Sequence, residues 1–360
     1  MNDVRLQVAV VGASGYAGGE LCRLLLEHPA VGTITPLSRS EEDFERVHAN
    51  LLGSGLVFHG MEALERGLDY DFVFMAASSG TAMALADAVV ARGSKVIDLS
   101  ADFRFASQTR YEEVYDREHT AAHLLPSAVY GAPELYRSAI ANATLIANPG
   151  CFALTSILGL APLYEAGFVR PDSFAHISAL NGTTGAGTTP RLEILHAEVV
   201  GSVLPYSLDG HRHAPEIELI IGEQIGTPPR VDFTTAHGDF ARGVFVQASV
   251  ELADEYRSLT RDEILDVFAL RYANEPFVRV NRQPSLGGKT DKDYRRLPGL
   301  ANVVGSNSCQ IGVDVDRERG LVRVVAVMDN LMKGAAGNAI QNMNIMAGIA
   351  ETDGLTPYGL

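Results

Sequence analysis

The first twenty-eight residues run strand, glycine turn, helix, and that order gives a glycine motif its meaning. Leu6-Gln7-Val8-Ala9-Val10-Val11 reads as a buried strand. Gly12-Ala13-Ser14-Gly15-Tyr16-Ala17-Gly18-Gly19 follows, and then a helix with Leu21, Leu24 and Leu25 on one face, stopped at His28-Pro29. Glycines in such a turn let the backbone approach a pyrophosphate, and the helix N-terminus stabilises its charge. The spacing Gly12, Gly15, Gly18 is a G-x-x-G-x-x-G variant of the dinucleotide fingerprint. Cofactor contacts are expected from Gly12, Ala13, Ser14, Gly15, Tyr16 and Ala17. The competing account is a tight strand-to-helix turn without a ligand.

A second strand over Val31 to Leu37 ends in Ser38-Arg39-Ser40. A chain that binds NAD usually has Asp or Glu there for the ribose 2′-hydroxyl, whereas a hydroxyl beside an arginine suits a 2′-phosphate. Ser38 and Arg39 therefore favour NADP(H) as cofactor. The α/β alternation continues with strands at Phe72 to Ala76 and Lys95 to Leu99 and a helix from Thr81 to about Arg92. Ligands in doubly wound sheets bind beyond the carboxyl ends of the strands, which is where Ser78, Ser79, Ser100 and Arg104 fall. From Phe105 to Leu125 no periodicity is evident, and Tyr130-Gly131-Ala132-Pro133-Glu134 reads as a turn.

Next comes Asn148-Pro149-Gly150-Cys151-Phe152-Ala153-Leu154, between a short apolar strand at Thr144 to Ala147 and an apolar helix. Cys151 is expected at the helix start, where unpaired N–H groups and the helix dipole favour negative charge. An ordinary thiol is only a few per cent thiolate at neutral pH, and a helix N-terminus raises that fraction. The alternative is a small core residue. Cys22 in the first helix and Cys309 on the apolar side of a strand alternation read as packing residues.

Downstream the runs are longer and mostly of strand type: Ser173 to Leu180, Val231 to Thr235, Gly243 to Leu252, Phe277 to Val280 and Leu321 to Met328, with a helix over Thr260 to Ala273 and a polar loop over 281–302. Asn181-Gly182-Thr183-Thr184-Gly185-Ala186-Gly187 offers conformational freedom and many small donors, as an anion or substrate clamp requires, or as a plain loop has. Gly210-His211-Arg212-His213 lies just before a helix that Pro215 can open. A general acid/base, His211 or His213, beside an arginine for an anionic substrate is the preferred reading, because imidazole titrates near neutrality. The pair has no third ligand cluster nearby, so no metal is expected. A final helix from about Asn338 to Ile349 closes the chain.

With 360 residues, two domains are the natural expectation. A formal net charge of −15 argues against nucleic acid or an anionic membrane surface as partner. No apolar run reaches the roughly 18 residues of a membrane span. Met1-Asn2-Asp3 leads almost directly into a strand, so no signal peptide is expected. Three widely spaced cysteines suit a reducing compartment, so a cytoplasmic location is expected.

Taken together, Gly12-Ala13-Ser14-Gly15-Tyr16-Ala17-Gly18, Asp102-Phe103-Arg104, Asn148-Pro149-Gly150-Cys151, Gly210-His211-Arg212-His213-Ala214-Pro215-Glu216-Ile217 and Asp329-Asn330-Leu331-Met332-Lys333-Gly334-Ala335-Ala336-Gly337 resemble, in order, the motifs of N-acetyl-gamma-glutamyl-phosphate reductases, as does the closing Glu351-Thr352-Asp353-Gly354-Leu355. The resemblance spans essentially the whole chain. It departs from many relatives at Asn181-Gly182-Thr183-Thr184-Gly185-Ala186-Gly187 and at Ala77-Ser78-Ser79-Gly80.

The resemblance implies an α/β chain similar to glyceraldehyde-3-phosphate dehydrogenase. A Rossmann-type NADP-binding domain would comprise 1–150 and 331–360, and an α+β catalytic and oligomerisation domain 151–330. It implies NADPH, a cysteine nucleophile at Cys151, and a homodimer or homotetramer. Asn330 becomes a further cofactor contact; Arg104, Asn181, Gly182 and Arg212 become substrate contacts, the two arginines because a guanidinium matches phosphate and carboxylate. The implied reaction is reductive dephosphorylation of an acyl phosphate in arginine biosynthesis through a cysteine thioester. A sister family acting on carrier-protein-linked aminoadipyl phosphate in lysine biosynthesis, an aspartyl phosphate enzyme, and a non-catalytic NADP sensor on the same fold are the alternatives.

Overall fold

The computed structural model describes residues 5–64, 69–284 and 293–360. The expectation about the first three residues, and the middle of the polar loop expected over 281–302, lie outside them. The chain divides into two compact units. One runs through Gly150 and takes back Ala335–Leu355; the other is Cys151–Gly334 with Thr356–Leu360.

The first unit contains β1 (Leu6–Val11), α1 (Tyr16–Leu26), β2 (Val31–Leu37), α2 (Phe44–Val47), β3 (Phe72–Met75), α3 (Thr81–Ala91), β4 (Lys95–Asp98), α4 (Gln108–Tyr115), β5 (Ala128–Tyr130), α5 (Pro133–Ala141) and β6 (Leu145–Ala147). Its six strands form a parallel sheet in the order β2-β1-β3-β4-β6-β5. Strands such as Phe72-Val73-Phe74-Met75 are buried along their whole length, as a sheet covered on both faces demands. The strand order reverses at β1, whose neighbours are β2 and β3, and such a switch point opens a crevice at the carboxyl ends.

Besides the one-turn α2, two helices of this unit were not legible in the pattern. Helix α4 arises in the stretch without periodicity because Ser107 caps it, accepting the Arg110 N–H at 3.3 Å, and Asp116 ends it in a left-handed conformation. Its single buried residue, Tyr111, leaves no repeating apolar face to detect. Helix α5 begins at Pro133, where only a turn was expected. Proline at the first helical position suits both.

The second unit carries α6 (Cys151–Glu165), β7 (Phe174–Asn181), α7 (His196–Val199), β8 (Leu204–Tyr206), α8 (Ala214–Ile225), β9 (Arg230–His237), β10 (Val244–Glu251), α9 (Arg261–Arg271), β11 (Val278–Val280), β12 (Cys309–Asp316) and β13 (Leu321–Met328). A mixed sheet in the order β11-β12-β13-β10-β7-β9-β8 organises it. Helix α6 packs on β10 and β13, α8 on β9, and α9 on β12. Alternation brings Val244, Val246, Ala248 and Val250 of β10 to the covered face. Each such valine contributes roughly 1.5–3 kcal/mol by leaving water. The approach of α6 depends on Gly159, where an added Cβ would stand 3.3 Å from both Ala326 and Val324. A leucine there would force the helix off the sheet.

A π turn at Met332–Ala336 leads into α10 (Gly337–Ala347), which packs in the first unit against α5, α1 and β4. The buried face of α10 is polar. Asn338 and Asn342 donate to the Gly131 carbonyl at 2.7 and 2.9 Å and to Asn148 Oδ1 at 2.8 and 3.3 Å. Among the described residues no helix is long and apolar enough to cross a membrane.

Candidate active site

The glycine turn of the first unit divides its glycines by task. Gly12 has φ +78, and a Cβ on it would lie 2.7 Å from the Ala76 carbonyl oxygen beyond β3. A Cβ on Gly18 would lie 2.3 Å from the Gly12 carbonyl oxygen. These two allow strand, turn and helix to close on one another. Gly15 differs: its nearest neighbour would be 3.5 Å away, and it caps α1 with no side-chain hydrogen bond to the helix. The first turn of α1 holds no acidic residue. An uncapped N-terminus beside an uncrowded glycine fits a phosphate group.

Ser38 Oγ, just beyond β2, donates to Ser14 Oγ at 2.9 Å and accepts the Ser40 N–H at 3.0 Å. Arg39 is exposed next to them, as are Tyr16 and Ser78, while Ala13 is buried and Ala17 half-buried. His48 was not singled out from sequence. Its Nε2 lies 2.7 Å from the Ala13 carbonyl, and its ring sits where a Cβ on Gly19 would be. The proton on that nitrogen ties the turn to α2's flank.

At the carboxyl ends of β3 and β4 the arrangement is different. Asp102 is fully buried, and its carboxylate accepts the N–H groups of Gly80 at 2.9 Å and Met83 at 3.1 Å, so it caps α3. Tyr111 Oη adds a bond at 3.2 Å. Arg104, expected at substrate, turns Nε onto the Asn148 carbonyl at 3.0 Å and Nη2 onto that of Leu99 at 3.2 Å. Asp102 and Arg104 of the Asp-Phe-Arg motif are thus engaged with their own unit's main chain.

In the second unit, Cys151 is the first residue of α6 and half-buried; the three cysteines form no disulfide. The first turn of α6 also lacks an acidic residue. Phe152, its neighbour, lies edge-to-face with His211 at 5.7 Å, His213 at 6.1 Å and Phe233 at 5.7 Å between ring centroids. Those contacts bring the Gly-His-Arg-His segment to the first turn of α6. His211 and His213 are 8% and 7% exposed, with centroids 4.7 Å apart, and Arg212 between them is exposed.

Burial first, and then the Arg212 charge, push the His211 imidazole down to about 4. It is therefore neutral at physiological pH. The His213 N–H donates to His211 Nδ1 at 3.2 Å, so the neutral ring carries its proton on Nε2.

Tyr206 and His237 complete the cluster, and neither was singled out from sequence. Tyr206 lies edge-on to His211 at 5.8 Å and stacks on His237 at 4.5 Å. Burial, and next the charge of Cys151, raise the Tyr206 hydroxyl above its usual range. Tyr206 stands five residues before His211, an offset that could have found it. His237 comes from a different strand, and only the pairing of β8 with β9 reveals it.

Asn181 ends β7, buried, with Oδ1 at 3.5 Å from the Tyr206 hydroxyl. The segment after it is less free than its composition suggested. Gly182 N–H bonds Gly243 O at 2.8 Å, Thr183 and Thr184 N–H bond the carbonyls of Phe240 and Ala241, and Thr183–Ala186 forms a 3₁₀ turn. Gly182 is required by proximity, since its Cβ would be 2.3 Å from Ala241 O. Asn330, expected at cofactor, uses Oδ1 for the Gly243 N–H at 2.7 Å and Nδ2 for Thr184 Oγ1 at 2.9 Å. Among the described residues no three His, Cys, Asp or Glu side chains are grouped to hold a metal ion.

Comparison with known proteins matches two family models to the chain. Residues 7–143 match the family model for the semialdehyde dehydrogenase NAD binding domain, and 151–330 the model for the semialdehyde dehydrogenase dimerisation domain. An N-acetyl-gamma-glutamyl-phosphate reductase of Desulfotalea psychrophila is 41% identical over 97% of this chain and 98% of its own. The enzyme of that name from Symbiobacterium thermophilum is 39% identical over 98% of each chain, and that from Methanosphaera stadtmanae 39% over 99% of each. Among solved structures, aspartate semialdehyde dehydrogenase II of Vibrio cholerae has a TM-score of 0.68 at 17% identity, covering 96% of this chain and 98% of its own. The aspartate semialdehyde dehydrogenase of Candida albicans, solved with NADP, has a TM-score of 0.65 at 15% identity, covering 95% and 98%. At those identities the likeness is one of fold: a nucleotide-binding parallel sheet domain with a mixed-sheet domain.

Proposed function

We propose that this chain, which belongs to the N-acetyl-gamma-glutamyl-phosphate reductase family, reduces N-acetyl-gamma-glutamyl phosphate to N-acetylglutamate 5-semialdehyde with loss of phosphate, the third step of arginine biosynthesis. One observation carries the reading. A half-buried thiol begins helix α6, and two buried imidazoles lie against the phenylalanine that follows it. A sensor of nucleotide alone has no use for that cluster.

The Cys151 thiolate attacks the acyl carbon, the bond from that carbon to the phosphate oxygen breaks, and phosphate leaves with a thioester formed. NADPH, when bound, supplies hydride to the acyl carbon. The resulting oxyanion needs a donor, and His211 offers Nε2–H from a ring that stays neutral. His213 takes the acid/base role, accepting the thiol proton and returning one to the thiohemiacetal oxygen. When the carbon–sulfur bond breaks, the oxygen's proton passes back to His213, aldehyde leaves and the thiolate is regenerated. Arg212, exposed in sequence between the two histidines, is the candidate partner for the substrate's anionic groups, and Asn181, bonded to Tyr206, and Gly182 are further candidates.

Gly12 to Ala17, Ser38, Arg39 and Ser78 fit a dinucleotide, and the Ser14–Ser38 pair with Arg39 favours the 2′-phosphate of NADP(H). The chain assembles as a homodimer or homotetramer in the cytoplasm, which light scattering on the purified protein and fractionation of its host would test. The activity is tested by offering purified protein and NADPH three acyl phosphates: N-acetylglutamyl, carrier-linked aminoadipyl and aspartyl. Turnover with the first and not the others is expected. Preference for the carrier-linked compound would move the chain to lysine biosynthesis, and no turnover of any would favour the sensor.

A further inference from the structure

The unit that carries Cys151 also holds an ion pair between a half-buried arginine and a buried aspartate that the proposed chemistry does not use. Asp329, immediately after β13, is 0% exposed. Its carboxylate accepts Arg242 Nε at 2.9 Å and Nη2 at 3.2 Å, a two-pronged pair, together with the N–H groups of Gly305, Leu331 and Met332 at 2.8, 2.8 and 3.2 Å. Its main-chain carbonyl accepts the Gly334 N–H at 2.9 Å. These bonds wind 329–334 into a tight turn that opens the π turn Met332–Ala336. Such turns interrupt helices mostly where geometry serves a site.

Gly334 is the point of contact. A Cβ built there would lie 2.8 Å from Cys151 Cβ, 3.1 Å from the Asp329 carbonyl oxygen and 3.5 Å from Cys151 Cα. None of these is the flexible end of a side chain, so a methyl group at 334 must displace either the turn or the thiol. The same turn reaches the segment after β7. Asn330 binds the Gly243 N–H and the Thr184 hydroxyl, and that hydroxyl donates to Ala241 O at 2.6 Å, next to Arg242.

We infer that Arg242, Asp329 and Asn330 form one strut that positions two parts of the site: Gly334 as the backstop of the Cys151 thiol, and Thr184 as the anchor of the Asn181–Gly187 segment. The inference deepens the reading of Cys151 as nucleophile and rests on it. Gly334, Asp329 and Thr184 act through other residues and are positioning residues.

The test uses the full chain and three variants, Gly334→Ala, Asp329→Asn and Thr184→Val. Gly226→Ala is the control for generic loss of stability, since Gly226 ends α8 at φ +80 with nothing nearby. Three quantities are read: the pH dependence of Cys151 alkylation by iodoacetamide, located by peptide mass spectrometry; kcat and KM for the acyl phosphate; and Tm. Gly334→Ala is expected to change the alkylation rate and kcat by about tenfold or more, with KM little altered, because a displacement of about an ångström at a reacting atom is costly. Thr184→Val is expected to raise KM and leave the alkylation profile alone, and Asp329→Asn to move both. Gly226→Ala is expected to lower Tm only. Should Gly334→Ala fail to fold, Asp329→Asn and Thr184→Val still decide the matter by their different signatures. Wild-type alkylation in Gly334→Ala, or three variants that lower Tm alone, would overturn the strut. Alkylation needs no turnover, so a wrong nucleophile assignment is detected separately, by activity surviving in Cys151→Ser.

Discussion

Helices α1 and α6 each follow a parallel strand through a glycine-bearing turn, and neither has an acidic residue in its first turn. They differ in what their N-terminal field acts on. Helix α1 starts behind Gly15, which has no side chain to occupy the helix end, so its field is left for an anion that comes from outside. Helix α6 starts with Cys151, so its field falls on an anion that the chain itself can make. A third helix marks the contrast. The N-terminus of α3 is filled by the Asp102 carboxylate and is closed to any ligand phosphate there. Equal helix starts thus become a binding site, a reactive group and a structural cap, according to one residue each.

The comparison can be broken at each start. Cys151→Ser exchanges a nucleophile for a poor one in the same place, and kcat should fall by about three orders of magnitude or more, measured as NADPH oxidation with acyl phosphate. Next in size, Arg39→Ala should raise the KM for NADPH by about tenfold to a hundredfold while leaving that for NADH nearly unchanged, since it removes only a partner for the 2′-phosphate. An equal effect on both cofactors would remove the argument for NADP(H). At α3, Asp102→Ala should lower stability by about 1–3 kcal/mol, by stranding buried N–H groups, and leave the alkylation rate of Cys151 unaltered. Denaturant unfolding and iodoacetamide labelling check the two halves of that statement.

The smallest effect concerns acid sensitivity. The His211 imidazole, down at about 4 when folded, titrates near 6.5 when unfolded. Between those values the unfolded chain binds the extra proton, so the stability this residue contributes is lost as pH falls from about 6.5 toward 4. His211→Asn should flatten the Tm profile in that window. An NMR titration of His211 with a midpoint near 6.5 would contradict its burial as the cause.

Much of this was readable in the chain because it was local. Strand β1, its glycine turn and α1 lie within one run of residues, and Cys151 stands at the start of an apolar helix that its own downstream residues announce. What stayed hidden depends on residues distant in sequence. The Arg242–Asp329 pair spans 87 positions, Tyr206 meets His237 only because β8 pairs with β9, and Asp102 caps a helix that begins 21 residues before it. Arg104 was legible as important but not as a clamp on the carbonyls of Leu99 and Asn148, since an arginine's charge suggests an anion and says nothing of main-chain acceptors. The close approach around Gly182 was hidden for a related reason. The glycines of Asn181–Gly187 suggested freedom, whereas Gly182 is there because Ala241 lies against it.

The central claim is that the thiol at the start of α6 becomes covalently acylated. The most direct measurement mixes enzyme and N-acetylglutamyl phosphate without NADPH and follows phosphate release alongside the intact mass. The account predicts one phosphate per chain, an N-acetylglutamyl adduct confined to the peptide containing Cys151, and discharge of that adduct on adding NADPH. Phosphate released without an adduct, or an adduct on another residue, would contradict it.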